Sequence, residues 1–237
     1  MSHQSDDYLD TFGPIAVVGA SRGLGRALAL HLSCLGADVH AFARGEHDLQ
    51  SLQSLDRRIS ISLLTGDGEE SALKAFSIRP RMVFVPAGTV PPMGPIGELE
   101  WAEFESTWRV DVRLAFEVTR LALAGGLPPG ATVVLFSSGA AKGGSPLSGG
   151  YAGAKRTVEF IAQYAQAEAA RTGLPLRMEA YVPKGIMPGT GIGEAAIAGY
   201  AERQGVSAAK FKAGLDNSVT RAAGDIVETY LPWLPNG

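Results

Sequence analysis

The chain has 237 residues, which is enough for one large domain but would leave two domains with thin cores. Hydrophobic residues make up 46% and charged residues 19%, as in ordinary globular proteins, and this composition excludes wholesale disorder. The net charge of −3 gives no electrostatic reason to expect nucleic acid or an anionic membrane as a partner. We therefore predict a single domain over residues 1–237.

The sequence also predicts no metal site and no membrane span. The four histidines are scattered and pair with no cysteine or carboxylate at ligand spacing. No apolar run is long enough to cross a bilayer, and the polar, acidic start is the reverse of a signal peptide. We expect a cytoplasmic protein with a loose tail over residues 1–12. The lone cysteine, Cys34, fits a reducing compartment, and its apolar helical surroundings predict that it is buried.

Short apolar runs alternate with longer helical patterns along the chain. Strands are predicted over residues 15–18, 38–43, 58–64, 82–85, 132–136 and 176–182. Helices are predicted over about 23–35, 47–55, 69–76, 99–124 and 150–171. Continuously apolar strands are typical of a parallel sheet covered on both faces. With short, right-handed connections they predict a doubly wound, three-layer α/β/α sheet of the Rossmann type with six or seven strands.

Residues 184–218 break this alternation. A glycine-rich stretch leads into a moderately apolar, helical pattern. We interpret the segment as a mobile lid over a substrate, and the alternative is an irregular connection.

A glycine cluster, VVGASRGLG (17–25), joins the first strand to its helix. Gly19 permits a sharp turn, Gly23 lets the backbone approach a pyrophosphate, and Gly25 allows the helix to pack closely on the sheet. Free N–H groups at the start of the helix would then face the phosphates. Because the cluster lies in the first βα unit of an alternating fold, it indicates a dinucleotide site.

The spacing Gly-x-x-x-Gly-x-Gly resembles the short-chain dehydrogenase/reductase family, and the resemblance extends over about residues 14–188. The chain is similar to ketone-reducing members such as 3-oxoacyl carrier-protein reductases. The predicted cofactor-binding residues are Gly19, Ser21, Arg22, Gly23, Leu24, Gly25, Arg44, Asp67, Ala87, Gly88, Tyr151, Lys155, Pro183 and Gly185.

The end of the second strand favours NADP(H) over NAD(H). An acidic residue there binds the ribose 2′-hydroxyl of NAD, but this chain has Ala43 followed by Arg44. Arg44 and Arg22 could bind a 2′-phosphate, and NADP-preferring members of the family carry basic residues at these two sites. The alternative is that both are solvated surface charges. Asp67 matches the adenine contact of the family, or else caps the helix that follows.

The predicted catalytic residues are Ser138, Tyr151 and Lys155. YAGAK (151–155) places the tyrosine and lysine four residues apart on one helix face. A free phenol holds its proton until about pH 10, and a nearby ammonium stabilises the phenolate. Ser138, thirteen residues before the tyrosine, matches the serine of the family, with Ser137 as the alternative. The alternative is that the tyrosine and the lysine lie on one face of an ordinary amphipathic helix and that the serines simply follow a strand.

The chain departs from the family at several positions. Asn-Asn-Ala-Gly after the fourth strand is replaced by Val85-Pro86-Ala87-Gly88. The fourth catalytic residue, an asparagine, aligns with Arg113, which we interpret either as a surface partner of Glu117 or as a participant in substrate binding or proton relay. After the sixth strand, the adjacent Pro-Gly of the family is interrupted in this chain by Lys184, which stands between Pro183 and Gly185. Lys184 either contacts the pyrophosphate or is simply exposed. The threonine that the family has a few residues later is displaced to Thr190 in this chain.

These patterns predict an NADP(H)-dependent oxidoreductase that reduces a small-molecule carbonyl to an alcohol, or catalyses the reverse reaction. Substrate would enter over the loop 139–150 and beneath residues 184–218. The alternative is a non-catalytic dinucleotide-binding sensor or assembly subunit. In the family, the helices at 99–124 and 150–171 pack against a second subunit, so we expect a homodimer or homotetramer.

Overall fold

A computed structural model of the chain describes residues 13–233, and the tail predicted over residues 1–12 lies outside them. Six strands form one sheet: β1 (Ile15–Val18), β2 (Val39–Ala43), β3 (Ser60–Leu63), β4 (Met82–Val85), β5 (Thr132–Phe136) and β6 (Arg177–Tyr181). Their order is β3-β2-β1-β4-β5-β6, and every neighbouring pair is parallel. The predicted doubly wound sheet is confirmed.

Ten α-helices are present among the described residues. They are α1 (Gly23–Cys34), α2 (Glu46–Leu55), α3 (Gly68–Phe76), α4 (Trp101–Thr107), α5 (Arg113–Leu121), α6 (Ala140–Gly143), α7 (Gly149–Thr172), α8 (Gly191–Arg203), α9 (Ala208–Ala213) and α10 (Val219–Tyr230). The single helix predicted at 99–124 is instead α4 and α5 joined by a π-helical segment, Trp108–Val112, and followed by a second one, Ala122–Gly126. The short α6 and the longer α10 were not predicted.

The core consists of one hydrophobic cluster on each face of the sheet. Alternate residues of β1 point to opposite faces, so Ile15 and Val17 join the first cluster while Ala16 and Val18 join the second. Helices α1, α2 and α10 cover the first face, and α3, α5 and α7 cover the second. Both faces are therefore covered, which explains why the inner strands β1, β4 and β5 are buried along their whole length, whereas the edge strands β3 and β6 alternate with polar residues.

The sheet order reverses between β1 and β4, which are neighbours although two strands separate them in the chain. At such a switch point the connections leave the carboxyl ends of the strands in opposite directions and open a crevice. The glycine loop follows β1, Ala87 follows β4 and Ser138 follows β5. The fold thus brings the predicted site segments to one edge.

Two further observations concern predictions about the surface. Cys34 is the last residue of α1 and is exposed, so the expectation that it is buried was wrong. The apolar residues of α1 turn toward the sheet, and position 34 falls on the opposite side. Within residues 13–233, no helix is long and apolar enough to cross a membrane.

Candidate active site

A cavity of about 960 Å³ lies along the carboxyl edge of the sheet. Its wall includes every residue predicted to bind the cofactor and all three predicted catalytic residues. Segments that are far apart in the chain, from the glycine loop to the residues after β6, therefore meet in one crevice. The structure thus brings these side chains together.

The glycine loop is shaped by close backbone packing. Gly19 has φ +101°, and a Cβ there would lie 2.6 Å from the backbone of Ala87. A Cβ on Gly25 would lie 2.1 Å from the carbonyl oxygen of Gly19, so α1 starts directly against the turn. No side chain caps the start of α1, and its first residues line the cavity. A helix start with free N–H groups and no acidic residue fits an anionic diphosphate.

Asp67 lines the cavity, and its carboxylate accepts from three donors. Its carboxylate caps α3 by accepting from the backbone N–H groups of Glu69 and Glu70 at 3.1 and 3.4 Å. It also accepts from the Arg113 guanidinium, with 2.5 Å between Nη2 and Oδ2. The helix-capping interpretation is therefore present in the structure, and Asp67 lines the cavity as well.

The structure corrects the interpretation of Arg113. Its guanidinium pairs with Asp67 and not with Glu117, whose carboxylate instead accepts from Arg120 at 2.8 Å. Nor does Arg113 contact the lysine of the predicted catalytic set. The side chain beside Lys155 is that of Asp111, two residues earlier in the chain. The alignment that placed Arg113 at the relay position was wrong.

Arg22 and Arg44 are exposed at the mouth of the cavity. Among residues 13–233, no carboxylate lies within ion-pair distance of either guanidinium. The second strand ends at the uncharged Ala43, as expected. Sequence reasoning missed Asp48, which also lines this part of the cavity; its only signal was an acidic residue in the first turn of α2.

The two candidate serines have different surroundings. Ser137 is 3% exposed, and its Oγ lies 2.7 Å from Oε1 of Glu159 and 3.0 Å from the carbonyl oxygen of Lys155. Ser138 is half-buried on the cavity wall, and its Oγ accepts from the backbone N–H of Ala140 at 3.3 Å. Since that contact leaves its O–H proton available, Ser138 is the better placed donor of the two.

Tyr151 and Lys155 lie in the first two turns of α7 and are 8% and 4% exposed. The Lys155 Nζ lies 5.7 Å from the centroid of the Tyr151 ring and donates to the carbonyl oxygen of Phe136 at 3.1 Å. Gly150 fixes this turn, because a Cβ there would lie 2.2 Å from the carbonyl oxygen of Phe104. The start of α7 is therefore held tightly against α4.

Asp111 completes the polar surroundings of the lysine. Its Oδ2 lies 2.9 Å from Lys155 Nζ, and its Oδ1 accepts from the backbone N–H of Thr89 at 2.8 Å. Burial lowers the pKa of Lys155, but the charges of Asp111 and then Tyr151 oppose it, and the net pKa lies above the usual range. Lys155 is therefore a charged ammonium at neutral pH.

Apart from the predicted cofactor-binding and catalytic residues, the cavity wall consists of apolar side chains and some hydroxyl groups. Its wall includes Val90, Met93, Ile186, Met187, Ile192, Ala196 and Tyr200. The Tyr200 hydroxyl on α8 lies 2.5 Å from Oγ of Ser145, to which Ser148 is also hydrogen-bonded at 2.7 Å. Residues of the predicted lid segment thus form part of this wall. Whether the segment moves stays a prediction.

The segment after β6 also differs from the family in its details. Pro183 and Gly185 line the cavity, whereas the inserted Lys184 is exposed and is not part of the wall. Thr190 caps α8 by accepting from the N–H of Gly193 at 2.9 Å, and it lies against the glycine loop. A Cβ on Gly23 would be 3.2 Å from its methyl group.

Comparison with known proteins agrees with this architecture. The sequence matches the short chain dehydrogenase family over residues 14–195. The chain belongs to this family of oxidoreductases. The glycine loop, the serine after β5 and the tyrosine and lysine of α7 all fall within the matched residues.

Two curated relatives are each 30% identical to part of the chain. One is the NADPH-dependent pterin aldehyde reductase of Arabidopsis thaliana, matched over 159 residues, 63% of this chain and 66% of that protein. The other is the L-xylulose reductase of Mesocricetus auratus, matched over 118 residues, 48% of each protein. The matches thus span between about half and two thirds of the relatives' length.

Solved structures with the same fold cover nearly all of the chain. An actinorhodin polyketide ketoreductase variant with NADPH has a TM-score of 0.77 at 20% identity, covering 91% of this chain and 89% of its own. ElxO with NADP bound has a TM-score of 0.73 at 18% identity, covering 91% and 90%. At these identities the similarity establishes the fold alone.

Proposed function

We propose that the protein is an NADPH-dependent reductase that converts a ketone or aldehyde to an alcohol. The observation that supports it best is the convergence of Ser138, Tyr151 and Lys155 with the glycine loop on one cavity at the switch point of the sheet. The chain belongs to an oxidoreductase family, and both curated relatives are named as reductases.

In such a reaction, each of the three residues Ser138, Tyr151 and Lys155 would have its own role. Bound NADPH would supply the hydride that is added to the carbonyl carbon. The Ser138 hydroxyl would donate a hydrogen bond to the carbonyl oxygen, and Tyr151 would give that oxygen its proton. Lys155, held by Phe136 and Asp111, would hydrogen-bond the nicotinamide ribose.

The residues near the end of β2 support NADPH over NADH. The guanidinium groups of Arg22 and Arg44, which have no ion-pair partner among residues 13–233, can bind a ribose 2′-phosphate, whereas the Ala43 side chain offers no acceptor to a 2′-hydroxyl. The carboxylate of Asp48, which also lines this wall, could accept from a hydroxyl. The pterin aldehyde reductase relative is NADPH-dependent by name, which agrees with the two arginines.

The other end of the cavity supports a substrate that is mainly apolar with some hydroxyl or carbonyl groups. Methionine and branched side chains form most of its wall, and the hydroxyls of Ser148 and Tyr200 lie among them. An apolar wall with a few directed polar groups is typical of small-molecule sites. A cyclic or chain-like ketone or aldehyde suits this chemistry better than a highly charged substrate.

We also propose that two copies of the chain associate through α5 and α7. Phe116 on α5 is 50% exposed, and Phe160 and Tyr164 on α7 are 64% and 67% exposed with stacked rings. Exposed aromatic side chains of this size are typical of a protein interface. Light scattering should show at least a dimer, and Phe160→Ser/Tyr164→Ser should weaken it. A monomeric wild-type protein would contradict the proposal.

The function is tested by fluorescence titration with NADPH and NADH, followed by a panel of ketones and aldehydes monitored for NADPH oxidation. Tight NADPH binding with turnover of at least one carbonyl is the expected result. Binding without turnover across the panel would favour the non-catalytic sensor or assembly subunit. Failure to bind either nucleotide would overturn the proposal.

A further inference from the structure

Asp111 and Lys155 form an ion pair that is almost completely removed from solvent. Their side chains are 1% and 5% exposed, with 2.9 Å between Oδ2 and Nζ. The other carboxylate oxygen accepts from the backbone N–H of Thr89. The two groups that face the carboxylate, the Lys155 ammonium and the Thr89 N–H, are both donors, so the side chain at position 111 needs two acceptor oxygens. An asparagine could accept from only one of them.

Lys155 belongs to the cavity wall, and Asp111 lies beside it without being part of the wall. Gly88, another wall residue, packs closely on the pair, because a Cβ there would be 3.2 Å from Oδ2 of Asp111 and 3.6 Å from Nζ of Lys155. The remaining contacts of the ammonium are the Phe136 carbonyl oxygen and, at longer range, the Tyr151 ring. Asp111 thus acts on Tyr151 through Lys155.

The Asp111 carboxylate opposes the effect of the Lys155 charge on Tyr151. An isolated ammonium close to a phenol favours loss of the phenolic proton, because it stabilises the phenolate. A carboxylate in direct contact with that ammonium carries the opposite charge and therefore weakens this effect.

Other charged side chains around the pair are engaged elsewhere. On the elements packed against it, the ion pairs are Arg109 with Glu105, Arg113 with Asp67, Arg156 with Glu159 and Glu194 with Lys212. The Tyr200 hydroxyl is bonded to Ser145. Within residues 13–233, Asp111 is therefore the carboxylate that sets the charge at Lys155.

We propose that Asp111 is a positioning residue that holds Lys155 and balances its charge, so that Tyr151 keeps its proton at neutral pH and the site favours carbonyl reduction over alcohol oxidation. This inference rests on the proposed function. In the step concerned, hydride from NADPH forms the new C–H bond while the Tyr151 O–H bond breaks and the alcohol O–H bond forms. The carbonyl is reduced, the nicotinamide is oxidised, and a proton from solvent restores Tyr151.

The pH profile of reduction tests the proposal in Asp111→Asn. We expect the alkaline limb of kcat to move to lower pH by about one pH unit or more, since the Tyr151–Lys155 unit releases its proton more easily without the carboxylate. The rate of alcohol oxidation relative to reduction should rise, with little change in NADPH affinity. Glu117→Gln is the matched control, because Glu117 is a buried, ion-paired carboxylate of α5 outside the cavity.

The control should reproduce the wild-type profile. A profile of Asp111→Asn that superimposes on the wild type would overturn the inference while the proposed function stands. If wild type reduces no carbonyl, the proposed function fails, and the proton is followed optically instead. Tyrosinate absorbance, measured against the matching Tyr151→Phe protein, should develop at lower pH in Asp111→Asn than in wild type. Its appearance at the same pH in both would overturn the inference.

A double variant covers the case in which Asp111→Asn does not fold. Lys155→Met leaves the Asp111 carboxylate buried without its cation, which is costly, whereas Asp111→Asn/Lys155→Met removes both charges. We therefore expect the double variant to have the higher Tm of the two. Equal stability would show that the two charges are not coupled and would contradict the role given to Asp111.

Discussion

The Arg113 guanidinium and the Asp67 carboxylate lie 2.5 Å apart and join the start of α5 to the start of α3. Both side chains are about half exposed, at 51% and 49%. Both residues of the pair line the cavity. Arg113 is therefore a structural partner of Asp67 in this fold, although its place in the sequence pointed to the catalytic relay.

Arg113→Ala should accordingly leave turnover nearly unchanged. An exposed ion pair contributes about 0–1 kcal/mol, so we expect a small fall in Tm and a modest change in KM for the nucleotide. Steady-state kinetics and thermal unfolding measure these effects, with Arg120→Ala as the control, because Arg120 is an ion-paired arginine of α5 that does not line the cavity. A loss of kcat of about 100-fold or more, typical of a removed acid–base group, would contradict this account.

The positions of β1, β4 and β5 could be predicted because these strands are almost continuously apolar and fully buried, and the parallel sheet follows from such strands alternating with helices. The π-helical turn at Trp108–Val112 could not be predicted. Its wider turn changes which side chains of the run face the core, and hydropathy alone does not reveal it. Separately, the alignment with the asparagine of the family was displaced by two residues, so it pointed to Arg113 where the structure has Asp111 beside the lysine.

Other differences have simple physical causes. Helix α10 was missed although its sequence contains a helix signal, since Ser218 caps its start and its apolar residues fall on one buried face that includes Ile226 and Tyr230. The glycine loop and the YAGAK segment could be found in the sequence because the spacing of their residues is itself typical of dinucleotide binding and of a paired tyrosine and lysine. The partners of Asp67 depend on side chains distant in sequence and needed the structure.

Removal of the two arginines at the mouth of the cavity should weaken NADPH binding selectively. Charge-assisted hydrogen bonds to a phosphate contribute about 1.5–3 kcal/mol, so Arg44→Ala or Arg22→Ala should each raise the Kd for NADPH by about 10-fold to 100-fold. The Kd for NADH, which lacks the 2′-phosphate, should change little. Fluorescence titration of both nucleotides gives the comparison, and an equal loss for both would count against 2′-phosphate recognition.

The two serines after β5 provide a matched pair of variants. Ser138→Ala should lower kcat by about 100-fold to 1000-fold, as when a hydrogen-bond donor to a developing oxyanion is removed. Ser137→Ala should instead lower Tm, because Glu159 loses a buried partner. If Ser137→Ala abolished turnover and Ser138→Ala did not, the assignment of the donor would be reversed.

The central claim is that Tyr151 donates the proton in an NADPH-dependent carbonyl reduction. It is tested most directly by comparing wild type with Tyr151→Phe for both NADPH affinity and turnover of a carbonyl substrate. We expect the variant to bind NADPH with nearly wild-type affinity and to lose about 100-fold to 10,000-fold in kcat, because phenylalanine keeps the ring but has no proton to donate. Turnover that persists at the wild-type rate in Tyr151→Phe would contradict the account.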